Sequence, residues 1–330
     1  MTKTAFVTGA TGFIGFHVAS LLIGRGWNVR ALRREGSRPP VLPGVEWRIG
    51  DLRDPQSLVR AMTGCEAVFH VAADYRLWAA NPQDIYESNV GGTANVLDAA
   101  LKGGAGRVVY TSSVGALGLR ADGTPADETA PVCLEDMIGH YKRSKFLAER
   151  KAEEFLAAGL PVVMVHPSTP VGPCDRKPTP TGKIIVDFLN GRMPAYLDTG
   201  LNVVHVRDVA EGHLLALERG RIGEKYILGN RNLTLADILK ELARIAGLDA
   251  PRIRLPYGPV LALAHLCEAV SRITRSEPMV PLEGVRMARH HMFFDSSKAV
   301  RELGLLQTPV ETALSEAVEW FIQNGYTKKR

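Results

Sequence analysis

The sequence predicts an α/β fold built on a doubly wound parallel sheet, with a smaller, mainly helical C-terminal lobe. Three observations carry that expectation. A short apolar run, Ala5-Phe6-Val7, leads into Thr8-Gly9-Ala10-Thr11-Gly12-Phe13-Ile14-Gly15 and then a helical apolar pattern of Phe16, Val18, Ala19, Leu21 and Leu22. Apolar, strand-like runs alternate with helical patterns through the first half of the 330 residues, as a parallel sheet covered on both faces requires. Beyond residue 166 the alternation fades into a proline-rich stretch and a set of helices.

The first turn is the most specific of these segments. Three glycines at three-residue spacing let the chain bend sharply, and the free N–H groups at the helix start can face an anion. Between a strand and a helix, this pattern points to a dinucleotide. Strands are expected at 28–32, 45–49, 67–71, 107–111 and 161–165, with helices at 56–62, 84–101 and 141–157. Ligands of such a sheet bind at the carboxyl ends of its strands. Pro167, Pro170, Pro173, Pro178 and Pro180 mark a long loop over 168–182, and loops of that length are usually functional. A strand at 203–206, a helix at 208–217 and a strand at 225–228 follow, then helices at 234–246, 258–273 and 311–323. The expected division is a dinucleotide-binding domain over 1–166, with 200–228 returning to it, and a substrate lobe over 167–199 and 229–330.

Composition is ordinary for a globular chain, at 45% hydrophobic and 23% charged, with a net charge of +5. Basic residues are scattered except at Arg33-Arg34 and Lys328-Lys329-Arg330, which argues against a nucleic-acid partner and leaves a mild attraction to anionic ligands or lipid surfaces. Cys65, Cys133, Cys174 and Cys267 stand far apart, without metal spacing, and read as free thiols in a reducing compartment. The N-terminal residues lack the apolar core of a signal peptide, and the apolar stretch 259–270, broken by His265 and Glu268, is too short to cross a bilayer. The expectation is a soluble, cytoplasmic chain with no transmembrane segment.

Tyr141 and Lys145 form the strongest catalytic signal. Four residues apart on a helix, they share a face, and an ammonium beside a phenol lowers its pKa toward working pH. Such a tyrosine can exchange a proton with a substrate oxygen. Thr111-Ser112-Ser113, at the end of the 107–111 strand, brings hydroxyls to the same edge of the sheet. His205, among apolar neighbours, reads as a buried, hydrogen-bonded histidine, and adjacent His290-His291 without a third ligand exclude a metal site.

The stretches TGATGFIG (8–15), GDLRD (50–54), FHVAA (69–73), NVGGT (89–93), YTSSVGALG (110–118), YKRSK (141–145), HPSTPVGP (166–173) and VVHVRDVAEGH (203–213) span nearly the whole chain. With them the chain resembles the extended short-chain dehydrogenase/reductases, in the epimerase/dehydratase and dihydroflavonol-reductase-like branch. HVAADYRLWA (70–79), KPTPTGKIIVD (177–187), GRMPAYLDTGLN (191–202) and RMARHHMFF (286–294) bring it closer to the hopanoid-associated sugar epimerases. The resemblance implies a Rossmann sheet and Tyr141 as general acid/base, with Lys145 on the nicotinamide ribose. Ser113 would bind the reacting carbonyl, with Ser112 as fallback. It implies that Gly9, Thr11, Gly12, Phe13, Ile14 and Gly15 line the pyrophosphate, Asp51 and Leu52 flank the adenine, and Val71, Ala72 and Ala73 back the cofactor. Thr111 and Ser112 would adjoin it, and Pro167 and Ser168 would face the nicotinamide amide.

The strand at 28–32 runs into Arg33-Arg34 with no aspartate, so a 2′-phosphate is favoured over free ribose hydroxyls. The expected cofactor is NADP(H), held by Arg34 with Arg33 or Arg38, with NAD(H) as the alternative. Members that bind nucleotide sugars usually carry an Asn after the sixth strand and an Arg before the strand at 203–206. Here those places hold His166-Pro167-Ser168 and Leu201. A reductase or dehydrogenase acting on a ketone or secondary alcohol is therefore preferred. A sugar epimerase with retained cofactor stands second and a non-catalytic cofactor sensor third. The expected partner is a small-molecule or lipid-like substrate, hydrophobic or polyol. Its pocket between the lobes would be walled by Tyr75, Leu77, Trp78, Leu119, Arg120, Ile184, Ile185 and Phe188. The resemblance extends to a place in hopanoid biosynthesis and to homodimers formed through the helices at 84–101 and 141–157.

Overall fold

The computed structural model describes residues 3–327, so the basic run 328–330 lies outside the described residues. The strands are β1 (Thr4–Thr8), β2 (Asn28–Arg33), β3 (Val45–Ile49), β4 (Ala67–His70), β5 (Arg107–Thr111), β6 (Val162–Pro167), β7 (Thr169–Val171), β8 (Ala195–Tyr196), β9 (Gly200–His205), β10 (Lys225–Leu228), β11 (Arg231–Thr234), β12 (Ile253–Arg254) and β13 (His291–Met292). The helices are α1 (Phe13–Gly24), α2 (Pro55–Met62), α3 (Gln83–Tyr86), α4 (Gly92–Lys102), α5 (Gly139–Ala157), α6 (Pro180–Leu189), α7 (Val206–Arg219), α8 (Leu235–Ala246), α9 (Tyr257–Thr274), α10 (Leu282–Met287), α11 (Ser297–Leu303) and α12 (Val310–Gln323).

Seven parallel strands form the main sheet in the order β10-β6-β5-β4-β1-β2-β3. The order reverses between β1 and β4, which opens a crevice at their carboxyl ends. Both faces are covered. One core layer packs Val18, Ala19 and Leu22 of α1 with Leu214 of α7 and Leu303 of α11. The other packs Leu58 of α2, Val96 and Leu97 of α4, and Ala148 and Ala152 of α5. Strand residues such as Phe6, Val68, Val108 and Met164 are fully buried, the reason these runs read as continuously apolar.

Three features depart from the expectation. The helix expected over 84–101 is not uniform. A π-helical turn, Glu87–Gly91, joins α3 to α4 and carries the buried Asn89. The segment 200–228 does not return to the main sheet as one piece. β9 pairs with β7, β11 and β13 in a separate four-stranded sheet, and only α7 and β10 rejoin the seven-stranded one. The C-terminal lobe thus holds small sheets as well as helices, with α6, α8 and α12 packed around Phe188, Leu242, Leu314 and Phe321. These strands are two to six residues long, too short for a clear alternation in sequence.

Candidate functional site

The glycine turn lies at the carboxyl end of β1, beside the crevice. Gly9 has φ of 77°, and a Cβ there would stand 2.7 Å from the amide nitrogen of Ala72. A Cβ on Gly15 would stand 2.2 Å from the Gly9 carbonyl, so both positions admit only glycine without rearrangement. Gly12 N donates to Gly9 O at 2.8 Å, closing the turn. No side chain caps α1 and its first turn holds no acid, so the N–H groups near Phe13, Ile14 and Gly15 remain available to an anion.

Behind the turn, polar groups are tightly paired. Thr8 Oγ1 accepts from the amides of Val71 (3.1 Å) and Ala72 (3.2 Å) and bonds His70 Nδ1 at 2.8 Å. His70 Nε2 meets Thr93 Oγ1 at 3.0 Å. Burial, with the nearby charge of Lys145, lowers the His70 pKa to about 3, so this ring is neutral and structural. The segment 71–74 is also held by Asn89. Its side chain accepts from Asp74 N (2.7 Å) and donates to Asp74 O (2.9 Å) and Ser144 Oγ (2.9 Å). Asn89 therefore ties the 71–74 segment to the helix of Tyr141, and the π turn is what aims it there.

Tyr141, Lys145 and Glu149 follow one another along a single face of α5. Burial pushes the Tyr141 phenol up, and a hydrogen bond from Ser113 pulls it back. Ser113 caps a short helical turn, its Oγ accepting from Gly115 N at 3.0 Å. The Lys145 ammonium donates to Thr111 O (2.7 Å) and Tyr110 Oη (3.4 Å). Burial lowers its pKa to about 8, against the pull of Glu149. The expected lysine-driven fall of the phenol pKa is thus absent. The ammonium is engaged at the end of β5, and desolvation dominates the phenol.

The structure separates the two serines. Ser112 Oγ donates to Glu149 Oε2, which also bonds His166 Nε2 at 2.8 Å, while Glu149 Oε1 receives Lys225 Nζ at 2.6 Å. Burial opposes this carboxylate, yet His166 and Lys225 hold it well below the usual carboxylate range. The Ser112 hydroxyl is therefore committed to the interior, and the fallback role for it falls. Thr111 Oγ1 is likewise taken, by His213 Nε2 at 2.9 Å. Ser168 Oγ is buried with no partner, one free polar atom at the end of β6 where Pro167 and Ser168 were expected to face a ligand.

Past the carboxyl end of β3, Arg53 pairs with Asp51 (3.1 Å), while Arg30, paired with Glu46 (2.8 Å), reaches Thr63 O at the opposite edge of the sheet. The Arg53 bond holds the Asp51 carboxyl below its ordinary value. Among the described residues no carboxylate lies within ion-pair distance of Arg33, Arg34 or Arg38. Leu52 packs over Gly92, and its carbonyl accepts from Asn95 Nδ2 at 2.8 Å.

Several expected pocket residues lie elsewhere. Arg120 pairs with Asp127 at 2.8 Å on the surface. Phe188 and Ile185 are 4% and 1% exposed, in the core of the small lobe, with Ile184 packed against that core. Tyr75 is exposed and donates to Lys177 O at 3.3 Å, Leu77 approaches Gly284 of α10, and Trp78 is half-buried. His205 is buried and satisfied, its Nδ1 accepting from Arg207 N at 3.0 Å and its Nε2 standing 3.3 Å from Glu316. Two buried groups escaped the sequence reading. Asp175, 1% exposed, accepts from Thr179 N and Oγ1 on one oxygen while the other has no partner, and burial raises its pKa to about 6. Lys142, 8% exposed, has among the described residues only the Met292 thioether, 3.7 Å away, and burial lowers its pKa to about 8.

A doubly wound parallel sheet with a glycine turn at its switch point defines a dinucleotide-binding α/β protein. The chain belongs to the NAD dependent epimerase/dehydratase family, whose sequence pattern matches residues 5–229. It is 47% identical to a candidate dihydroflavonol 4-reductase of Synechocystis sp., over 99% of this chain and 97% of that relative. It is 35% identical to sterol demethylase protein B of Methylococcus capsulatus, over 98% and 99% of the two chains. The solved structure of a nucleoside-diphosphate-sugar epimerase from Pseudomonas aeruginosa superposes with a TM-score of 0.81 at 29% identity, covering 99% of this chain and 100% of that one. The family is one of oxidoreductase-type enzymes that use NAD.

Proposed function

We propose that this chain is an NADP(H)-dependent oxidoreductase that interconverts a ketone and a secondary alcohol on a hydrophobic, lipid-like substrate. The observation that carries the reading is the meeting of the Tyr141 phenol with the Ser113 hydroxyl on the carboxyl side of β5, in the same sheet edge as the uncapped glycine turn. The turn fits a dinucleotide, since Gly9 and Gly15 leave a cradle that a Cβ would fill. The pyrophosphate would lie on the start of α1, the adenine near Asp51 and Leu52, and the nicotinamide near Pro167 and Ser168. Arg34, with Arg33 or Arg38, would hold the 2′-phosphate, as arginines without an acidic partner suit a phosphate dianion. A reduced nicotinamide supplies hydride when bound. Ser113 Oγ donates to the carbonyl oxygen and Tyr141 Oη delivers its proton there, while Lys145, held on Thr111 O, would reach the nicotinamide ribose. The names of the Synechocystis and Methylococcus relatives support a reductive reaction and a sterol-sized substrate.

A nucleotide-sugar epimerase with retained cofactor is the second reading, favoured by the likeness to the Pseudomonas protein. Against it, Leu201 and the His166-Pro167-Ser168 run supply no guanidinium or amide for a diphosphate. Purified protein incubated with NADPH and a panel of cyclic ketones decides between them. Exchangeable cofactor with net NADPH consumption supports the oxidoreductase, and tightly held cofactor without net turnover supports the epimerase. Arg34→Glu should weaken NADPH binding about tenfold or more and leave NADH binding unchanged. A wild-type preference for NADH overturns the cofactor assignment.

A further inference from the structure

Helix α9 is turned inside out for a soluble surface. Its inward face, with Ala264 and Ser271 fully buried, packs with Val260 and Leu261 against Leu282 and Val285 of α10. Its outward face carries Leu263 (43% exposed), Leu266 (64%), Val270 (51%) and Ile273 (85%). The spacing of three, four and three residues places all four on one stripe. Ile253 (61%), before the helix, and Met279 (82%), after it, are exposed as well. Seven of the sixteen large apolar residues exposed in the described chain fall within 253–279. Single exposed apolar residues are ordinary, but a contiguous stripe marks an interaction surface.

The charges around the stripe point to its partner. Over 252–279, the span of the exposed apolar residues, the chain has Arg252, Arg254, Arg272 and Arg275 against two acids, Glu268 and Glu277. Arg254 is drawn to Asp198 and Arg272 loosely to Glu268, while among the described residues Arg252 and Arg275 meet no carboxylate. A surface of anionic headgroups over an apolar interior complements both features at once. No described helix is long and apolar enough to cross a membrane, so α9 would lie along the surface rather than span it.

The stripe is also wired to the catalytic face. On the other side of α9, Glu283 of α10 accepts from His140 N at 3.0 Å, the residue before Tyr141. Gly284 of α10 faces Leu77, on the segment that follows β4. The α9–α10 pair is thus the wall between the apolar stripe and the Tyr141 end of the crevice. We propose that α9 docks the protein on anionic lipid bilayers, burying its apolar stripe at the headgroup boundary with its arginines on the phosphates. This would bring the crevice within reach of a membrane-dissolved substrate. The docking stands on the surface itself, and only the delivery of substrate rests on the oxidoreductase reading.

Co-sedimentation of the full chain with vesicles tests it. Binding is expected to vesicles of phosphatidylcholine mixed with phosphatidylglycerol, weaker binding to phosphatidylcholine alone, and loss of binding as salt rises. The double variant Leu266→Asp/Ile273→Asp should weaken binding roughly tenfold or more. Arg272→Glu/Arg275→Glu should remove the preference for phosphatidylglycerol. Both pairs sit in solvent, so unchanged circular dichroism and melting temperature certify the fold. Failure to bind either vesicle, or binding indifferent to both variants, overturns the proposal. So does a dimer in light scattering that Leu266→Asp/Ile273→Asp dissociates, since a second copy would then cover the stripe. NADPH consumption with a water-soluble ketone, measured on the same samples, keeps the two readings apart. Vesicle binding without turnover of any ketone counts against the oxidoreductase and leaves docking intact, whereas turnover without vesicle binding does the reverse.

Discussion

Lys142 and Lys145 stand three residues apart on α5, both buried and both lowered to about 8, yet their surroundings are opposite. Lys145 donates to a strand carbonyl and a phenol, lies 5.0 Å from the Tyr110 ring centre, and feels the Glu149 charge one turn on. Among the described residues Lys142 has a thioether and no acid, and as the fourth residue of α5 it sits at the positive end of the helix dipole. The Lys145 side of the helix thus joins a polar network that reaches through Glu149 to Ser112, His166 and Lys225 and leaves His166 Nδ1 without a partner. The Lys142 side keeps a charge that the fold does not satisfy. Groups on the first side should therefore govern activity and stability together, whereas the second side should show a stability cost that can be removed.

The largest effect is expected at the shared face. Tyr141→Phe should lower kcat/KM for ketone reduction by about 10² to 10⁴ with little change in NADPH affinity, and Lys145→Met should lower both. Stopped-flow turnover with parallel fluorescence titration of NADPH measures the two, and a Tyr141→Phe enzyme of full activity would break the assignment. Next comes Glu149→Gln, which leaves His166 and Lys225 facing a neutral amide and should cost about 3 kcal/mol in urea unfolding. The carboxyl of Glu149 is held below its ordinary value of 4.5. Its stabilisation is therefore complete above pH 4.5 and lost as the pH falls below it, and the glutamine variant should lack that acid limb.

Lys142→Met should act in the opposite direction and raise stability by about 1 to 2 kcal/mol at pH 7. Its folded pKa lies near 8 against an ordinary 10.5, so the unfolded chain binds more protons across that window. Wild-type stability should therefore rise between about pH 8 and 10.5, and the methionine variant should show a shallower rise. A destabilised Lys142→Met would show that the amine has a partner in solution. Ser112→Ala, the smallest change, should cost about 1 kcal/mol through the bond to Glu149 while leaving kcat near wild type. A collapse of kcat with intact Ser113 would reverse the roles of the two serines.

Much of this was legible in the residues. The glycine turn, β1 to β6, and the positions of Tyr141 and Lys145 follow from local spacing, because a turn, a buried strand and a helical face each leave a short periodic mark. Glu149 carries the same four-residue spacing from Lys145, but nothing local shows that His166 and Lys225 converge on it from β6 and β10. Adjacent Ser112 and Ser113 are alike in sequence, and the difference between them is a strand end with one side chain inward and the next outward. Nothing local to Arg120 shows its pairing with Asp127 on the surface, or to Phe188 that the small lobe buries it.

The 259–270 stretch draws the line most clearly. Its apolar residues establish a helix that does not span a membrane, and they would read the same whether their stripe faced a core or water. Sequence alone determined the glycine turn, the strands of the main sheet and the long helices, with the residue types they present, since those depend on neighbours a few residues away. Only the tertiary structure decided which serine meets Tyr141 and which meets Glu149, which lysine is paired and which face of α9 meets solvent. Burial and partnership are set by elements far apart in the chain, and no local pattern records them.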